Sequence, residues 1–358
     1  MKKHFFIDIH AIQTLPPSCV NRDDTGSPKT ATYGGVERAR VSSQAWKRAM
    51  REYFKGIFAP EQLGSRTKHI PEMLTAEIMK LSPEISEEKA CKAALDALKA
   101  VGIKLDEKKN QNAALFFISD QQIKALAASA VGGKPDKSAC KSAIKEHPSF
   151  DIVLFGSMAA DDPDLNYDAA SQVAHAISTH AVHTEYDYFT AVDDEQRDDE
   201  SGAGHLGTVE FNSATMYRYA TLNVTELATH LDGDTATVVR GFVEAFIRSM
   251  PTGKQNTFAN RTLPDMVYLT VRSDQPVNLS GAFERAIEKD RDGYAERSCR
   301  ELLRYSDKLC STFADVPELA LGCGDAAILD GHAEVLPLCT LLDRIEAYTA
   351  EHIGEVTE

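Results

Sequence analysis

The sequence lacks any long hydrophobic run. Its 358 residues contain no segment close to the roughly 18 apolar residues that would span a membrane, and its apolar start is interrupted at Asp8 and His10. These absences predict neither a membrane anchor nor a signal peptide. We therefore expect a cytoplasmic protein with no membrane among its partners.

The sequence is also poor in recognisable catalytic motifs. Its seven cysteines are odd in number and mostly far apart, without zinc-ligand spacing, which favours a reduced protein. It contains no phosphate-binding loop, dinucleotide fingerprint or nucleophile elbow. We expect a protein that is not an enzyme and that holds no cofactor and no metal.

Adjacent carboxylates are the remaining candidates for metal chemistry. Asp23 and Asp24 lie in a long, turn-rich loop, and a strongly acidic run occupies residues 193–200. Such pairs can hold magnesium for nuclease chemistry, although catalytic sites usually gather carboxylates from several elements. A metal-dependent ribonuclease therefore stays open as the alternative function. The spacing of His175, His180 and His183 favours structural histidines over a zinc site.

Positive charge is scarce in the chain as a whole but not at its beginning. The chain carries 39 Lys and Arg against 54 Asp and Glu, for a formal net charge of -15, whereas residues 1–56 carry ten cationic and five acidic side chains. A uniformly basic protein would bind polyanions everywhere. This asymmetry predicts a confined anion-binding track instead.

Most of that local charge lies in Gly34–Arg51, which we interpret as a strand that turns at Ser42 and Ser43 into a basic amphipathic helix. Either serine is a suitable N-cap, and the helix amides behind it can donate to a phosphate oxygen. An ordinary capped surface helix fits this pattern too. The polar side carries Gln44, Lys47, Arg48, Arg51 and Lys55, and the apolar side carries Trp46, Ala49, Met50, Tyr53, Phe54 and Ile57.

Predicted strands and helices are interspersed, so the fold class is α/β or α+β, with two lobes and a helical insertion at 58–148. Phe150–Met158 is predicted as a short apolar strand, and Ala169–Thr179 as a helix. Residues 181–212 alternate between apolar and polar side chains on both sides of an acidic tip. This pattern is typical of a long projecting β-hairpin.

Cations, hydrogen-bonding groups and apolar side chains together favour a single-stranded nucleic acid bound without sequence preference. For Met158 and Phe189, ordinary core packing is the alternative. The candidate contacts to the nucleic-acid backbone are Arg22, Lys29, Ser42, Gln44, Lys47, Arg51 and Lys254, and the candidate wedges against bases are Met158, Phe189 and Val192.

Several motifs together indicate a family. They are residues 17–24, 34–51, 174–180, 187–194, 205–220, 253–255 and 265–267. In this order they resemble the CasC family, the crRNA-binding backbone subunit of the type I-E CRISPR Cascade complex. The resemblance spans most of the chain outside 58–148 and the C-terminal tail.

The resemblance implies an RRM-like palm built from residues 1–57 and 149–358, a helical fingers insertion at 58–148 and a thumb hairpin near 182–212. It implies a non-catalytic subunit of an antiviral ribonucleoprotein that polymerises along guide RNA and displays its bases for pairing. The implied partners are crRNA, target DNA through guide pairing, further copies of the chain, and the large, small and guide-end-capping Cascade subunits.

The resemblance also assigns residue roles by position. The thumb of one copy reaches over its neighbour and displaces a nucleotide at a regular interval. The chain departs from the family at Gly156-Ser157-Met158, where Gly-Arg-Met is common. The residues that hold the guide backbone are Lys29, Ser42, Gln44, Lys47 and Arg51, and those that displace the nucleotide are Met158, Phe189, Thr190 and Val192.

Overall fold

The computed structural model describes residues 4–106, 108–131, 135–158, 162–191 and 205–354. Val192 and the acidic run at 193–200 therefore lie outside the described residues. Within the described ranges, no helix has both the length and the apolar character that crossing a bilayer requires.

The chain divides into two compact units. The first consists of Met1–Met50, Val173–Thr221 and Phe242–Ile345, and the second of Arg51–Gln172, Leu222–Gly241 and Glu346–Glu358. The helical insertion predicted at 58–148 lies within the second unit. That unit extends beyond the insertion on both sides and includes two later segments of the chain.

The strands and helices alternate along the chain, as the sequence predicts for a mixed α/β protein. The strands are β1 (Phe6–Ser18), β2 (Thr30–Tyr33), β3 (Val36–Val41), β4 (Gly64–Thr67), β5 (Leu105–Asp106), β6 (Gln111–Asn112), β7 (Phe116–Ser119), β8 (Ser171–Val173), β9 (Ala176–Ser178), β10 (Glu185–Ala191), β11 (His205–Asn223), β12 (Met266–Arg272), β13 (Leu319–Gly324) and β14 (Glu334–Val335). The helices are α1 (Ser43–Phe54), α2 (Ile70–Leu81), α3 (Glu87–Ala100), α4 (Asp120–Ala130), α5 (Lys137–Lys145), α6 (Phe150–Phe155), α7 (Val224–Leu231), α8 (Thr235–Arg248), α9 (Gln255–Phe258), α10 (Ala295–Cys310), α11 (Ala326–Leu329) and α12 (Leu338–His352).

A ten-stranded sheet is the framework of the first unit. Its strand order is β14-β13-β12-β1-β11-β9-β3-β2, and β8 and β10 also pair with β11. The pairings of β1 with β12, β12 with β13, β9 with β11 and β3 with β9 are antiparallel. The strands β4 with β7 and β5 with β6 form two small separate sheets.

The first strand, β1, is buried on both faces. Its apolar alternate positions are covered, and so are Asp8 and His10 on the opposite face. The Tyr219 hydroxyl donates to Asp8 Oδ1 at 2.8 Å, and the Tyr217 hydroxyl lies 2.9 Å from His10 Nδ1. Burial raises the pKa of Asp8 to about 6 and lowers the pKa of His10 to about 3. Tyrosine hydroxyls thus allow polar side chains inside the core.

The other face of the sheet carries Arg218, which is 1% exposed. Its guanidinium carbon lies 3.7 Å from the ring centroid of Trp46 on α1 and 4.5 Å from that of Phe246 on α8. It donates to Gln13 Oε1 at 2.6 Å and to the Phe246 carbonyl oxygen. Burial lowers the pKa of Arg218 to about 9, so the side chain remains protonated at neutral pH. Two helices are thereby tied to β1 and β11.

The second unit has a hydrophobic core of its own. Helices α2 to α5 bury a continuous apolar cluster that includes Ile70, Leu74, Leu98 and Leu126, each with no exposed surface. The strand residue Ile118 is buried in the same cluster. The mainly helical character predicted for 58–148 is confirmed, with β4 to β7 as short additions.

Two predicted elements are wrong. Phe150–Phe155 is the helix α6, which ends at Gly156 with a φ of 76°, and is not a strand. A short apolar run is compatible with a buried helix as well as with a strand, so the pattern could not decide. Ala169–Thr179 forms β8 and β9 instead of a helix, because pairing with distant strands outweighs local preference.

The long hairpin is confirmed. Strands β10 and β11 pair in antiparallel fashion from Glu185 opposite Phe211 to Ala191 opposite His205. Strand β11 does not end at the base of the hairpin but continues to Asn223 as a central strand of the sheet. The hairpin is therefore a direct extension of the sheet.

We predict that Arg218→Ala lowers the free energy of unfolding by about 3 kcal/mol or more, because it opens a cavity beside Trp46 and leaves two buried acceptors without a donor. Urea unfolding monitored by circular dichroism measures the change. Arg300→Ala is the control, since Arg300 lies on an exposed face of α10. Equal stability of the two variants would contradict the central role of Arg218.

Candidate nucleic-acid interface

Ser42 caps helix α1. Its Oγ accepts the Ala45 amide at 3.3 Å, and its own amide donates to Asn21 Oδ1 at 2.9 Å. The residue is 6% exposed. Of the two candidate caps in the sequence, Ser42 is the one used. Its hydroxyl oxygen accepts within the helix cap, and its contact to a nucleic-acid backbone stays a prediction.

The first amide of α1 is occupied as well. The Ser43 amide donates to Nδ1 of His175 at 2.9 Å. Because this nitrogen accepts, the ring proton of the neutral imidazole is on Nε2. Burial, together with the charges of Arg40 and Lys29, lowers the pKa of His175 and keeps the ring neutral at pH 7. The sequence-based expectation that the leading amides are free for phosphate is therefore wrong for Ser43 and Ala45.

The loop before β2 packs against the start of α1. The Lys29 amide donates to the Asn21 carbonyl oxygen at 2.8 Å, and the Arg40 amide donates to the Lys29 carbonyl oxygen at 2.9 Å. Lys29 and Arg40 are both half-buried and act electrostatically on the exposed His175. The structure thus brings two cations and a neutral imidazole donor together at the end of β3.

Sequence reasoning missed Arg40 and His175 as site residues. Arg38, two positions earlier on β3, is fully buried and donates to the carbonyl oxygens of Ser178 and Phe283, both at 2.9 Å. Arg40 retains exposed surface. From the sequence alone, Arg38 and Arg40 are equally good candidate contacts. Only their different burial in the structure separates them.

Two further predicted contacts converge at the other end of the same loop. The Cys19 thiol has a pKa raised by burial, while the nearby cations Arg22 and Lys254 act in the opposite direction. A Cβ atom at Gly253 would lie 2.1 Å from the Val20 carbonyl oxygen, so the two loops pack without space between them. Arg22 is exposed and Lys254 is half-buried, and both act electrostatically on the Cys19 thiol.

Helix α1 has the predicted amphipathic character. Trp46 and Met50 are buried, whereas Gln44 and Arg48 are exposed. Lys47 is half-buried, and desolvation lowers its pKa. Of the predicted contacts at the start of this helix, Gln44 therefore faces outward, Lys47 is partly exposed and Ser42 is buried.

Arg51 has a different environment from the one its helical spacing suggested. Its Nε lies 3.0 Å from Asp151 Oδ2, in a pair whose side chains are 25% and 3% exposed respectively. Its guanidinium carbon lies 4.3 Å from the ring centroid of Phe117, and its Nη2 donates to the Gly64 carbonyl oxygen at 3.4 Å. The structure gives Arg51 an internal partner in the second unit.

The candidate wedges are exposed. Met158 is 80% exposed and Phe189 is 40% exposed, which argues against core packing for both. The ring of Phe189 lies across the hairpin on Gly207, where an added Cβ atom would come within 2.4 Å of Cζ. Thr190 is also exposed. Glycine at 207 therefore allows the ring to lie flat on the neighbouring strand.

The opposite face of the hairpin carries two more exposed aromatic residues that sequence reasoning did not single out. Tyr186 and Tyr188 are 68% and 64% exposed. They alternate with Phe189 along β10, so a period-two reading of the strand could have found them. Both faces of the hairpin thus present aromatic rings.

Ser157 stands where the family commonly has an arginine, and it forms a backbone bridge with Tyr167. The Ser157 amide donates to the Tyr167 carbonyl oxygen at 3.1 Å, and the Tyr167 amide donates back at 2.9 Å. Ser157 is 9% exposed and carries no charge. This bridge holds the backbone next to Met158, while an arginine contact is absent at this position.

The carboxylate of Asp23 is occupied within its own loop. Its Oδ1 accepts from the Thr25 hydroxyl at 2.7 Å and from the amides of Thr25 and Ser27 at 2.9 and 3.0 Å. The Thr25 hydroxyl is the main cause of its lowered pKa. Across the described part of the chain, no three His, Cys, Asp or Glu side chains form a group suited to a metal ion.

Comparison with solved structures shows chains with the same fold. One, from a "CRISPR RNA-guided surveillance complex, pre-nicking", is 34% identical, with a TM-score of 0.80, and the alignment covers 96% of this chain and 99% of that one. Another, from a "CRISPR RNA-guided surveillance complex", is 32% identical, with a TM-score of 0.63 and the same coverage. No curated protein matches the chain.

The fold is thus that of a class of proteins found in CRISPR RNA-guided surveillance complexes. Within it, the chain belongs to the family described as CT1975-like protein, whose model matches residues 7–334. The resemblance to the CasC family that the sequence motifs indicate is confirmed.

We predict that Arg51→Ala lowers the free energy of unfolding by about 3 kcal/mol, because it leaves the buried carboxylate of Asp151 without its charged partner. Chemical denaturation measures this loss. Lys55→Ala is the matched control on the same helix, since the exposed pair of Lys55 with Glu52 contributes at most about 1 kcal/mol. An Arg51 variant as stable as the control would show that the ion pair is not structural.

Proposed function

We propose that this chain is the crRNA-binding backbone subunit of a type I-E CRISPR Cascade complex. The observation that carries the proposal is that cations cluster at two places in the first unit, Lys29 and Arg40 around His175 and Arg22 and Lys254 around Cys19. We propose that the two clusters form one surface with the start of α1. We call this surface the basic track. It is formed by Arg22, Lys29, Arg40, Gln44, Lys47, His175 and Lys254.

The charge of the remaining chain supports a confined track. The net charge is -15, so a polyanion is repelled by most of the surface and attracted only where the cations converge. The donors in the track are side chains suited to phosphate and sugar oxygens. Such contacts hold a strand without reading its bases, and base pairing between guide and target reads the sequence.

We assign the elements of the fold to the division that the family resemblance implies. In this proposal the ten-stranded sheet belongs to the RRM-like palm, the helices between 58 and 148 form the fingers, and the hairpin of β10 and β11 is the thumb. Each copy contributes a short track, and copies that follow one another along one RNA add their contacts. The proposed partners are crRNA, target DNA through guide pairing, further copies of the chain and other Cascade subunits.

The exposed apolar side chains fit a wedge role. Phe189 and Met158 are exposed to water. Stacking either side chain against a base that has left the helical stack is energetically favourable. In this proposal Thr190 and Val192 line the same part of the thumb. Met158 belongs to the second unit and Phe189 to the first, and the proposal has them act at the junction between successive copies.

We further propose that the subunit is not catalytic. The loop carboxylate of Asp23, the candidate for a magnesium ligand, is already bonded to three donors of its own loop. Guide and complementary RNA incubated with the protein should remain intact in magnesium and in EDTA alike. Magnesium-dependent cleavage that disappears in Asp23→Ala would favour the ribonuclease.

We predict that Lys29→Ala combined with Arg40→Ala weakens guide RNA binding and reduces its salt dependence. Loss of two phosphate contacts to a single strand should lower the slope of log affinity against log salt by about 1.4. Filter binding at several salt concentrations measures the slope. The control is Arg300→Ala with Arg304→Ala, two cations paired with glutamates of their own helix. An unchanged slope in the Lys29 and Arg40 variant would place the track elsewhere.

For the wedge, we predict that Met158→Ala combined with Phe189→Ala abolishes the regular pattern of displaced guide nucleotides, because no side chain remains to replace base stacking. Chemical footprinting of the assembled ribonucleoprotein measures base exposure along the guide. Leu263→Ala, at an apolar position that is 64% exposed and lies outside the hairpin, is the control. An identical footprint for wild type and the double variant would remove this assignment.

A further inference from the structure

A loop far from the basic track in sequence presents two large apolar side chains to solvent. Residues 311–318 connect α10 to β13, and within them Phe313 is 82% exposed and Val316 is 77% exposed. Among the described residues, only Met158 is comparably exposed for a large hydrophobic side chain. Exposing such groups to water is unfavourable, so the loop is a candidate contact surface.

The loop is held by a nearly buried ion pair. Arg272 donates to both carboxylate oxygens of Asp274, at 3.0 and 2.8 Å, and to the Asp315 carbonyl oxygen at 2.7 Å. Asp274 Oδ2 in turn accepts the Asp315 amide at 3.1 Å. Burial alone would raise the pKa of Asp274, but the bonds from Arg272 and from nearby amides hold it below its usual value. The carboxylate is therefore ionised at neutral pH, and it fixes the middle of the loop.

Both ends of the loop are also bonded to regular elements. The amides of Phe313 and Ala314 donate to the Leu309 carbonyl oxygen at 2.8 and 3.0 Å, and the Glu318 amide donates to the Val271 carbonyl oxygen at 2.9 Å. Little conformational freedom is left in the backbone. An exposed aromatic residue on a preorganised loop loses little entropy on binding, which is typical of an anchor in protein interfaces.

The charges around the two side chains indicate what can cover them. Asp315 and Glu318 lie in the loop, and Asp274 lies directly beneath it. Arg272 and Asp274 neutralise each other, so the carboxylates that contribute negative charge are those of the loop itself, and Lys308 lies near the end of α10. This environment repels phosphate, and it matches an apolar cleft with a basic rim.

A second copy of this chain is a poor source of such a cleft. The chain carries a net charge of -15, and the proposed function assigns its basic track to guide RNA. A non-identical protein with a basic surface is complementary instead. The solved chains of this fold come from multi-component complexes.

We propose that loop 311–318 docks a different protein subunit of the same ribonucleoprotein, with Phe313 and Val316 inserted into an apolar cleft bordered by basic residues. This inference rests on the proposed function, because the partner is a member of the guide-bound complex. It assigns a surface of this chain to the contact with another protein subunit that the proposed function includes.

The test is Phe313→Ser combined with Val316→Ser in the complete, co-expressed ribonucleoprotein. We expect the variant complex to keep its guide RNA and its number of copies of this chain, while occupancy of one other protein subunit falls at least about tenfold on dilution. Native mass spectrometry measures the composition. Leu115→Ser is the control, since Leu115 is 53% exposed and belongs to the second unit.

Unchanged occupancy of every other subunit would overturn the proposal. Loss of copies of this chain, with the other subunits retained, would also overturn it, because the loop would then contact a second copy. A wild-type assembly that contains no RNA would contradict the proposed function itself, whatever the variant shows. Both substituted side chains are exposed, so we expect the variant to fold normally, which circular dichroism verifies.

Discussion

The buried guanidinium of Arg218 is the interaction on which the first unit depends. No carboxylate among the described residues bonds to it, and its charge is stabilised by the faces of Trp46 and Phe246 and by the oxygens of Gln13 and Phe246. These partners come from two helices and from the strand beside its own. Because each of them must be correctly placed before the charge can be buried, the rotation of α1 about its axis is determined from inside the protein.

That rotation decides which face of α1 is available to a ligand. With Trp46 and Met50 turned inward, Gln44 and Arg48 face outward, and the capped start of the helix meets the loop that carries Arg22 and Lys29. Two sets of cations in the first unit thus differ in their environment. Arg38 and Arg218 stabilise the sheet, while the cations of the basic track remain on its surface.

The same division explains how a chain of net charge -15 can hold a polyanion in the proposed function. A few cations suffice when they converge on one track and when successive copies add their contacts along one strand. Strand β11 runs from the hairpin into the sheet without interruption, and there it pairs with β9, the strand that follows His175. The Arg272 and Asp274 pair holds a third surface, at 311–318, in the same unit.

Much of this architecture could be predicted from local patterns. The amphipathic helix after Ser42, the hairpin of β10 and β11, and the helical character of 58–148 follow from periodicity and capping. The short segments at 150–155 and 171–178 could not be predicted, because an apolar stretch of that length is compatible with either structure until its long-range partners are known.

By itself, the sequence determined the family, the mixed α/β class and the concentration of positive charge near the N-terminus. Only the tertiary structure decided which charges remain available for binding. Arg51 shares the helical face of Lys47, yet its pairing with Asp151, 100 positions further along the chain, commits it to the interior. His175 and Arg40, which no local motif marks, join the basic track because β3 and β9 are neighbours in the sheet. Long-range pairing sets the free-energy cost of exposing or burying a charge. The spacing of residues along the chain does not reveal that pairing.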